Sequence, residues 1–236
     1  MKSTWTLAMA CFVLVAGAAG ASPAGLMVHV PLDGTVTEAR GLGTVRADQV
    51  GAPTFVAGAV GEAALPEPGH RHVAMLHVSR LSRLLLRGHT PEAGTIMLWV
   101  RRPAPTPAPA DTAPVLVLSS DAPLNLDVVV AAAPPRLVAA FDDEAGVRHE
   151  IGAPFPATAG SWIHLALGWD AAAGTAVAFV QGDSLAHATV APFAMPSLPT
   201  VFALGAPDIA VDDFRLYDRL LVSTQLRALP GFAAAP

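Results

Sequence analysis

The stretch SWIHLALGWD, residues 161–170, alternates large apolar side chains with smaller or polar ones. Every second residue from Ile163 to Trp169 is large and apolar, and residues two apart share a face in an extended chain. Trp162 and His164 fall on the opposite face. This pattern predicts a β-strand from Ile163 to Trp169 that buries one face against a second layer of structure.

Short apolar runs separated by glycine and proline continue along the chain, which contains 22 prolines and 20 glycines among 236 residues. Such spacing is typical of a many-stranded antiparallel β protein. In the run IMLWV, residues 96–100, both faces are apolar, which predicts a central strand covered on each side. Because each apolar face must be buried against another layer, we predict an all-β fold made of a two-sheet antiparallel β-sandwich.

The individual elements follow from the same pattern. The predicted strands are Leu26 to Leu32, Thr95 to Arg101, Val115 to Ser119, Leu124 to Ala131, Leu137 to Phe141, Ile163 to Trp169, Ala176 to Gln181, Thr200 to Leu204 and Ile209 to Tyr217. One short C-terminal helix is predicted from Ser223 to Leu229, with Ser223 as its N-cap.

The N-terminal residues resemble a secretory signal peptide. Lys2 gives a minimal positive start, Leu7 to Val15 is apolar, and residues 19–21 form a small-residue cleavage signature. We predict that residues 1–21 are removed, which places the mature chain outside the cytoplasm, in the periplasm, at the cell surface or in the medium. The apolar run is shorter than the ~20 residues of a membrane-spanning helix, so we expect no membrane span after cleavage.

The mature chain is predicted to form one sandwich domain over residues 25–230, followed by a frayed tail at residues 231–236. The sequence PAPTPAPA at residues 103–110 is similar to an interdomain linker. The strands before it would lack partners if it separated two domains, so we predict a surface loop there.

Charge and cysteine content exclude some classes of function. The formal net charge is −5, and Lys2 is the only lysine. Such a chain is not suited to general nucleic-acid binding, which needs a basic surface against phosphates. The single cysteine, Cys11, lies in the predicted leader. The mature chain is therefore predicted to have neither a disulfide nor a thiol nucleophile.

Five segments, in this order, resemble the laminin G-like, concanavalin A-like jelly-roll superfamily. They are VPLDG at 30–34, FVAGAVGEAAL at 55–65, GTIMLWVR at 94–101, the stretch at 161–170, and AVDDFRLYDR at 210–219. The resemblance implies a two-sheet jelly roll, a scaffold whose members differ widely in activity. Recognition of glycans or of extracellular proteins is the superfamily's commonest use.

Some members of this superfamily hydrolyse glycans, and one branch carries its two carboxylates on one strand as Glu-x-Asp-x-x-Glu. No glutamate of this chain has an aspartate two residues later. A Gly-x-Ser-x-Gly elbow, a His-Glu-x-x-His motif and a phosphate-binding loop are also missing from the sequence. We therefore expect a non-catalytic protein that requires no cofactor, with a hydrolase or lyase of dispersed catalytic residues as an alternative.

Some members bind calcium with acidic residues at the positions of Asp33, Asp212 and Asp213, so the resemblance implies a candidate calcium site here. Calcium takes about six to eight oxygen ligands, which three carboxylates and loop carbonyls could supply in part. The alternatives are a salt bridge from the acidic pair to Arg215 or Arg219, or the capping of a turn.

Strict alternation would place Asp212 on the same face as the apolar Phe214 and Leu216. Either a β-bulge turns Asp212 outward, or the carboxylate lies inward and must be paired.

The candidate ligand-binding residues are an aromatic residue and a basic strip. Trp162 lies off the main apolar face and could stack on a sugar, although packing at the strand start is the alternative. Arg80, Arg83 and Arg87 could bind an acidic or sulfated glycan, as in some laminin G-like relatives, and a solvated strand edge is the alternative. We interpret His164 as a hydrogen-bonded structural histidine.

The leading hypothesis is an exported, non-catalytic recognition module for a glycan or an extracytoplasmic protein. The alternative is a structural or assembly component of the cell envelope. Recognition predicts a groove lined with aromatic and hydrogen-bonding side chains, whereas assembly predicts a broad exposed apolar patch. The oligomeric state stays open.

Overall fold

The structure is a computed structural model that describes residues 24–41, 45–78, 92–101, 115–120, 124–129, 136–143, 145–154, 160–189, 192 and 201–232. The strands are β1 (Leu26–Val30), β2 (Arg40–Gly41), β3 (Arg46–Gln49), β4 (Thr54–Ala57), β5 (Glu62–Leu65), β6 (Ala74–His77), β7 (Ala93–Arg101), β8 (Val115–Ser120), β9 (Leu124–Val129), β10 (Arg136–Asp142), β11 (Arg148–Pro154), β12 (Ile163–Asp170), β13 (Thr175–Val180), β14 (Asp183–Thr189), β15 (Val201–Leu204) and β16 (Ala210–Tyr217). One short helix, α1 (Ser223–Arg227), follows them.

The strands form two antiparallel sheets. The nine-stranded sheet has the order β14-β13-β12-β7-β16-β1-β2, with β5 also paired to β16 and β4 paired to β5. The seven-stranded sheet has the order β11-β10-β9-β8-β15-β6-β3. This arrangement confirms the predicted all-β, two-sheet antiparallel sandwich with one short C-terminal helix.

The main core lies between the two sheets. Trp169 and Phe214 from the nine-stranded sheet are buried there together with Phe202 from the seven-stranded sheet. The rings of Phe202 and Phe214 are 5.7 Å apart at their centroids, so the two inner faces are in direct contact. The alternation that begins at Ile163 thus buries the face it predicts.

The outer face of the nine-stranded sheet, directed away from the seven-stranded sheet, is also covered. Met97, Phe179 and Tyr217 are buried on it, against Leu226 and Leu229. These leucines belong to the C-terminal segment, which we define as residues 218–232. The prediction of a central strand at residues 96–100 with both faces buried is therefore confirmed.

All nine predicted strands are present, each with bounds within two residues of the prediction. The strands that the sequence did not predict are β2, β3, β4, β5, β6, β11 and β14. Four of these, β2, β3, β11 and β14, end the strand orders given above. An edge strand pairs on one side only and needs no strong apolar pattern, so its sequence signal is weak.

The N-cap of the helix lies one residue earlier than predicted. Val222, not Ser223, is the N-cap, and Ser223 is the first helical residue. The side-chain oxygen of Gln225 accepts a hydrogen bond from the Val222 N–H at 3.1 Å. The Gln225 side chain therefore satisfies the N–H of the cap residue, which is a different donor from the first-turn N–H that a Ser223 hydroxyl would bind as N-cap.

Several predictions fall on residues outside the described ranges, among them the leader at residues 1–21 and the loop at residues 103–110. In the part of the chain that is described, no helix is long and apolar enough to cross a membrane. Gly231 and Phe232, at the start of the predicted tail, pack against the outer face, and residues 233–236 lie outside the described ranges.

Candidate functional site

Strand β16 contains a β-bulge at the acidic pair. Asp212 lies opposite Trp99 of β7, and the register then shifts before Arg215. The extra residue is Asp213, whose φ is 50°. The bulge lets Asp212 share the outer face with Trp99 while Phe214 stays in the core, which is the first of the two alternatives left open by the sequence.

Asp213 is the centre of a buried ion-pair network. Its Oδ1 accepts hydrogen bonds from Nε and Nη2 of Arg215 at 3.1 and 3.0 Å. Nε2 of His29 lies 2.7 Å from the same oxygen. Asp213 and Arg215 are only 1% and 3% exposed. The salt bridge to Arg215, the alternative to metal binding for the acidic pair, is therefore present.

Asp212 holds the turn between β4 and β5. Its Oδ2 accepts a hydrogen bond from the Val60 N–H at 2.8 Å, and the turn is closed by the Gly58 N–H and the Gly61 carbonyl at 2.9 Å. Its Oδ1 is buried without a hydrogen-bond partner. Burial raises the pKa of Asp212 to about 7, against the opposing effect of the Val60 hydrogen bond and with a smaller contribution from Asp213.

Asp33 contacts the same turn from its other side. Its Oδ1 accepts a hydrogen bond from the Glu62 N–H at 2.7 Å. Within the described residues, no group of three or more His, Cys, Asp or Glu side chains is placed to hold a metal ion. Calcium binding by Asp33, Asp212 and Asp213 stays a prediction, which the effect of calcium and of a chelator on thermal unfolding tests.

Trp99 and His164 form a buried aromatic pair on the outer face. Strand pairing sets them directly opposite each other, with ring centroids 5.1 Å apart and an interplanar angle of 68°. The prediction of a hydrogen-bonded His164 is wrong, because neither ring nitrogen has a partner. Burial lowers the pKa of His164 to about 3, so the ring is neutral.

Trp162 lies at the start of β12, next to this pair, and is half-buried. The guanidinium carbon of Arg101 lies 4.7 Å from the centroid of the Trp162 ring. The side chain of Gln181 donates a hydrogen bond to the Trp162 carbonyl at 3.0 Å, which fixes the backbone there. One side of the indole is therefore occupied by a cation, and the residue is neither a fully exposed platform nor a core residue.

The candidate arginine strip, Arg80, Arg83 and Arg87, lies outside the described residues. Its role in ligand binding stays a prediction.

Sequence reasoning missed three residues of this region, namely His29, Arg101 and Phe232. His29 is 184 positions away from Asp213, and only the pairing of β1 with β16 brings them together. Arg101 had a weak signal, since it is the polar residue that ends the predicted central strand. Phe232 was hidden because the surrounding Gly, Ala and Pro residues are typical of a frayed terminus.

The architecture is similar to that of solved binding domains. The binding domain of botulinum neurotoxin serotype G matches with a TM-score of 0.66 and 11% identity, over 85% of this chain and 49% of that one. The binding domain of Paraclostridial Mosquitocidal Protein 1 matches with a TM-score of 0.64 and 11% identity, over 86% of this chain and 51% of that one. This chain thus spans about half the length of these two domains.

A third similar structure is matched over nearly its whole length. Domain 4 of AbnA, a GH43 extracellular arabinanase from Geobacillus stearothermophilus in complex with arabinotriose, has a TM-score of 0.55 and 17% identity, over 89% of this chain and 98% of that one. No protein-family model matches the sequence, and no match was found among the curated proteins. At these identities the similarity shows a shared β-sheet fold.

Proposed function

We propose that this chain is an exported, non-catalytic recognition domain with a laminin G-like jelly roll, and that it binds a glycan on the outer face of the nine-stranded sheet. The observation that carries the proposal is the half-buried indole of Trp162 with Arg101 over its ring. An indole that keeps an accessible face offers a flat apolar surface to the C–H groups of a sugar ring. A neighbouring guanidinium supplies hydrogen-bond donors for hydroxyl oxygens.

The rigid setting of Trp162 supports this role. Gln181 donates its side-chain amide to the Trp162 carbonyl, and its side-chain oxygen accepts the His164 N–H at 3.1 Å. The backbone on which the indole sits is therefore fixed before any ligand arrives. A preformed site loses less conformational entropy on binding.

The similar solved structures support recognition over catalysis. Two of the matches given above are described as binding domains, and the third is domain 4 of an arabinanase in complex with a trisaccharide. An extracellular protein partner is an alternative ligand class for the same face, and the experiment below distinguishes the two.

The described surface favours recognition over envelope assembly. Among the described residues, the exposed large hydrophobic side chains are Val147, Leu185 and Val222. They belong to three different segments, and three side chains are fewer than a broad apolar contact patch requires. An export signal at residues 1–21 would bring the domain to extracytoplasmic glycans.

The test is binding of the full chain, as exported, to neutral trisaccharides such as arabinotriose, cellotriose and maltotriose, measured by calorimetry and by thermal unfolding. We expect at least one to bind, and Trp162→Ala to weaken that binding about tenfold through loss of stacking. Trp162→Phe is the matched control, because it keeps a ring and should lose much less. Equal affinities for wild type and Trp162→Ala would refute the proposal for this face.

The arginine strip is tested separately with a sulfated heparin tetrasaccharide. We expect the triple change of Arg80, Arg83 and Arg87 to alanine to remove its binding, and Arg71→Ala, at an exposed arginine, to leave it unchanged. Binding of the tetrasaccharide that survives the triple change would exclude the strip as its site. If no glycan binds, retention of an envelope protein by wild type but not by Trp162→Ala would favour a protein ligand.

A further inference from the structure

The outer face of the nine-stranded sheet carries buried polar atoms without hydrogen-bond partners. Among the described residues, such atoms include Nε1 of Trp99, both ring nitrogens of His164 and Oδ1 of Asp212. Native proteins leave few buried polar groups unpaired, because each one costs folding free energy. Unpaired groups gathered on one face therefore indicate a site that can bind a polar molecule.

Strand register brings the central members of this set into one row. Asp212 of β16 lies opposite Trp99 of β7, and Trp99 lies opposite His164 of β12. Residues directly opposite on antiparallel strands are about 5 Å apart at Cα. The unpaired donors and acceptors of these three side chains are thus close enough to contact a single small ligand.

The end of the C-terminal segment covers this row. The ring of Phe232 lies 4.9 Å from that of Trp99 and 4.7 Å from that of His164. Gly231, with a φ of 96°, packs so closely on the indole that an added Cβ would lie 3.0 Å from Nε1 of Trp99. Residues 231 and 232 therefore occupy the position that a stacked ligand would take.

Little holds this cover in place. Within the described residues, the last backbone hydrogen bond of the C-terminal segment is donated by the Leu229 N–H to Leu226. Phe232 itself is only half-buried. The Phe232 ring also packs against Gly182, where an added Cβ would lie 3.2 Å from it. A segment held mainly by such side-chain packing can leave at lower cost than the buried Leu226 and Leu229 before it.

The covered row also continues the Trp162 surface. Arg101 follows Trp99 by two residues in β7, and Trp162 precedes His164 by two, so each pair shares a face. Two residues of a strand span about 6.6 Å, which is near the length of one sugar ring. The half-buried indole of Trp162 and the buried indole of Trp99 are therefore neighbours on the outer face, at a spacing that suits two successive sugar units.

We propose that residues 230–232 are a displaceable cover over a second saccharide subsite whose floor is Trp99. His164 and Asp212 supply its hydrogen bonds. This inference rests on the proposed function, since it extends the Trp162 surface inward by one sugar unit. A chain of two or three units would displace Phe232 and stack on both indoles.

The chemistry of the row selects an uncharged polyhydroxylated ligand. Trp99 donates only, a neutral His164 donates from one nitrogen and accepts at the other, and Asp212 offers a free oxygen. A sugar hydroxyl both donates and accepts, so adjacent hydroxyls can satisfy this mixed set. An anionic ligand would instead lie near the carboxylate of Asp213, whose partner Arg215 is already engaged.

The test opens the cover in the full chain by Phe232→Ala and, independently, by Gly231→Val, whose side chain cannot fit against the indole. Acrylamide quenching of tryptophan fluorescence reports whether Trp99 becomes accessible, and Trp99→Phe assigns the signal. We expect both variants to expose Trp99 and to bind one of the neutral trisaccharides at least about tenfold more tightly than wild type, because the cost of opening is removed. Adding Trp99→Leu, which removes the aromatic floor and keeps an apolar side chain, should abolish the gain.

The outcomes separate this inference from the proposed function. If Trp162→Ala weakens binding by wild type but opening gives no gain, the proposed function holds and the cover inference fails. If opening gives the gain while Trp162→Ala has no effect, the subsite at Trp99 is supported and the role proposed for Trp162 fails. Trp99 staying shielded in both opened variants would also overturn the inference, and a lack of binding by every form would overturn both.

Discussion

The carboxylate of Asp212 accepts a hydrogen bond from the backbone N–H of Val60, which is 152 positions earlier in the chain. This contact anchors the turn before β5 to the bulged strand β16. One carboxylate oxygen is satisfied, while the other is buried without a partner. Burial therefore favours the protonated acid and raises the pKa of Asp212 to about 7.

This raised pKa predicts a pH-dependent contribution to stability. Between pH 3.8 and about 7 the folded chain keeps a proton on Asp212 that the unfolded chain has released. The stabilisation is complete below the lower value and is lost as pH rises toward 7, a change of a few kcal/mol at about 1.4 kcal/mol per pKa unit. Asp212→Asn keeps an acceptor for Val60 and cannot ionise. Its free energy of unfolding, relative to wild type, should increase from pH 4 to pH 7.

Urea unfolding at intervals of pH measures this difference. Asp48→Asn, at a residue in the outermost strand β3, is the control for loss of a carboxylate elsewhere. A difference between Asp212→Asn and wild type that stays constant from pH 4 to pH 7 would contradict the assignment.

His164 predicts a dependence of opposite sign. Its pKa is lowered from 6.5 to about 3, first by burial, with Asp213 opposing and Arg215 adding to the effect. Below pH 6.5 the unfolded chain binds a proton that the folded chain does not, so the stability from this group is complete above pH 6.5 and is lost as pH falls toward 3. His164→Phe keeps a ring against Trp99 and cannot take up a proton. Relative to wild type, its free energy of unfolding should therefore be most favourable at acidic pH.

The two groups act over nearly the same range and in opposite directions. Their contributions to wild-type stability should therefore largely cancel between pH 4 and pH 6.5, and each single variant should reveal the slope of the other group. Chemical unfolding of both variants over this range checks the prediction. Parallel slopes for the two variants would show that the assignments are wrong.

The fold was predictable where local pattern and burial agree. Strand β12 carries a strict alternation from Ile163 to Trp169, and both the strand and its buried face are confirmed. Strand β14 (Asp183–Thr189) carries mostly small and polar residues at the edge of the sheet. Its formation depends on pairing with β13 rather than on its own sequence pattern, so the local sequence does not predict this strand.

The candidate site was predictable only in part. Alternation fails at Asp212, and this failure was the signal for the bulge that the structure contains at Asp213. The partners of these residues could not be predicted, because Val60 and His29 reach them through contacts between distant parts of the chain. Local pattern also cannot show that Phe232 returns to cover Trp99.

The glycine at position 61 should be much harder to replace than a glycine of similar backbone conformation elsewhere. Gly61 has a φ of 68°, and an added Cβ would collide with Oδ1 of Asp33, the acceptor of the Glu62 N–H. Gly61→Ala should therefore cost about 1–2 kcal/mol for the backbone and about 1–2 kcal/mol more for the disturbed hydrogen bond.

Gly146→Ala is the matched control for this prediction. Gly146 has a φ of 76°, but an added Cβ there would meet nothing within 4 Å. It should lose only the backbone part, of about 1–2 kcal/mol. The difference between the losses in free energy of unfolding of the two variants measures the contribution of the Asp33 contact. Equal losses would mean that this contact adds nothing to stability.

The hydroxyl of Thr95 fixes the start of the C-terminal segment to the sheet. It donates a hydrogen bond to the Arg219 carbonyl at 2.8 Å and accepts one from the Leu221 N–H at 2.9 Å. Thr95 and Leu221 are both fully buried, so water cannot replace the bond from the Leu221 N–H. Thr95→Val keeps the shape of the side chain but leaves this buried donor unpaired and removes the donor to the half-buried Arg219 carbonyl, which should cost about 2–3 kcal/mol.

Thr95→Ser separates the hydroxyl from the packing. Serine keeps both hydrogen bonds and loses one methyl group, which should cost about 1 kcal/mol. Thr95→Val should therefore destabilise the fold more than Thr95→Ser, although valine preserves the volume of the threonine side chain better than serine does. Urea unfolding of the two variants decides this order. If serine costs as much as valine, packing of the methyl group, and not the hydroxyl bridge, attaches the C-terminal segment to β7.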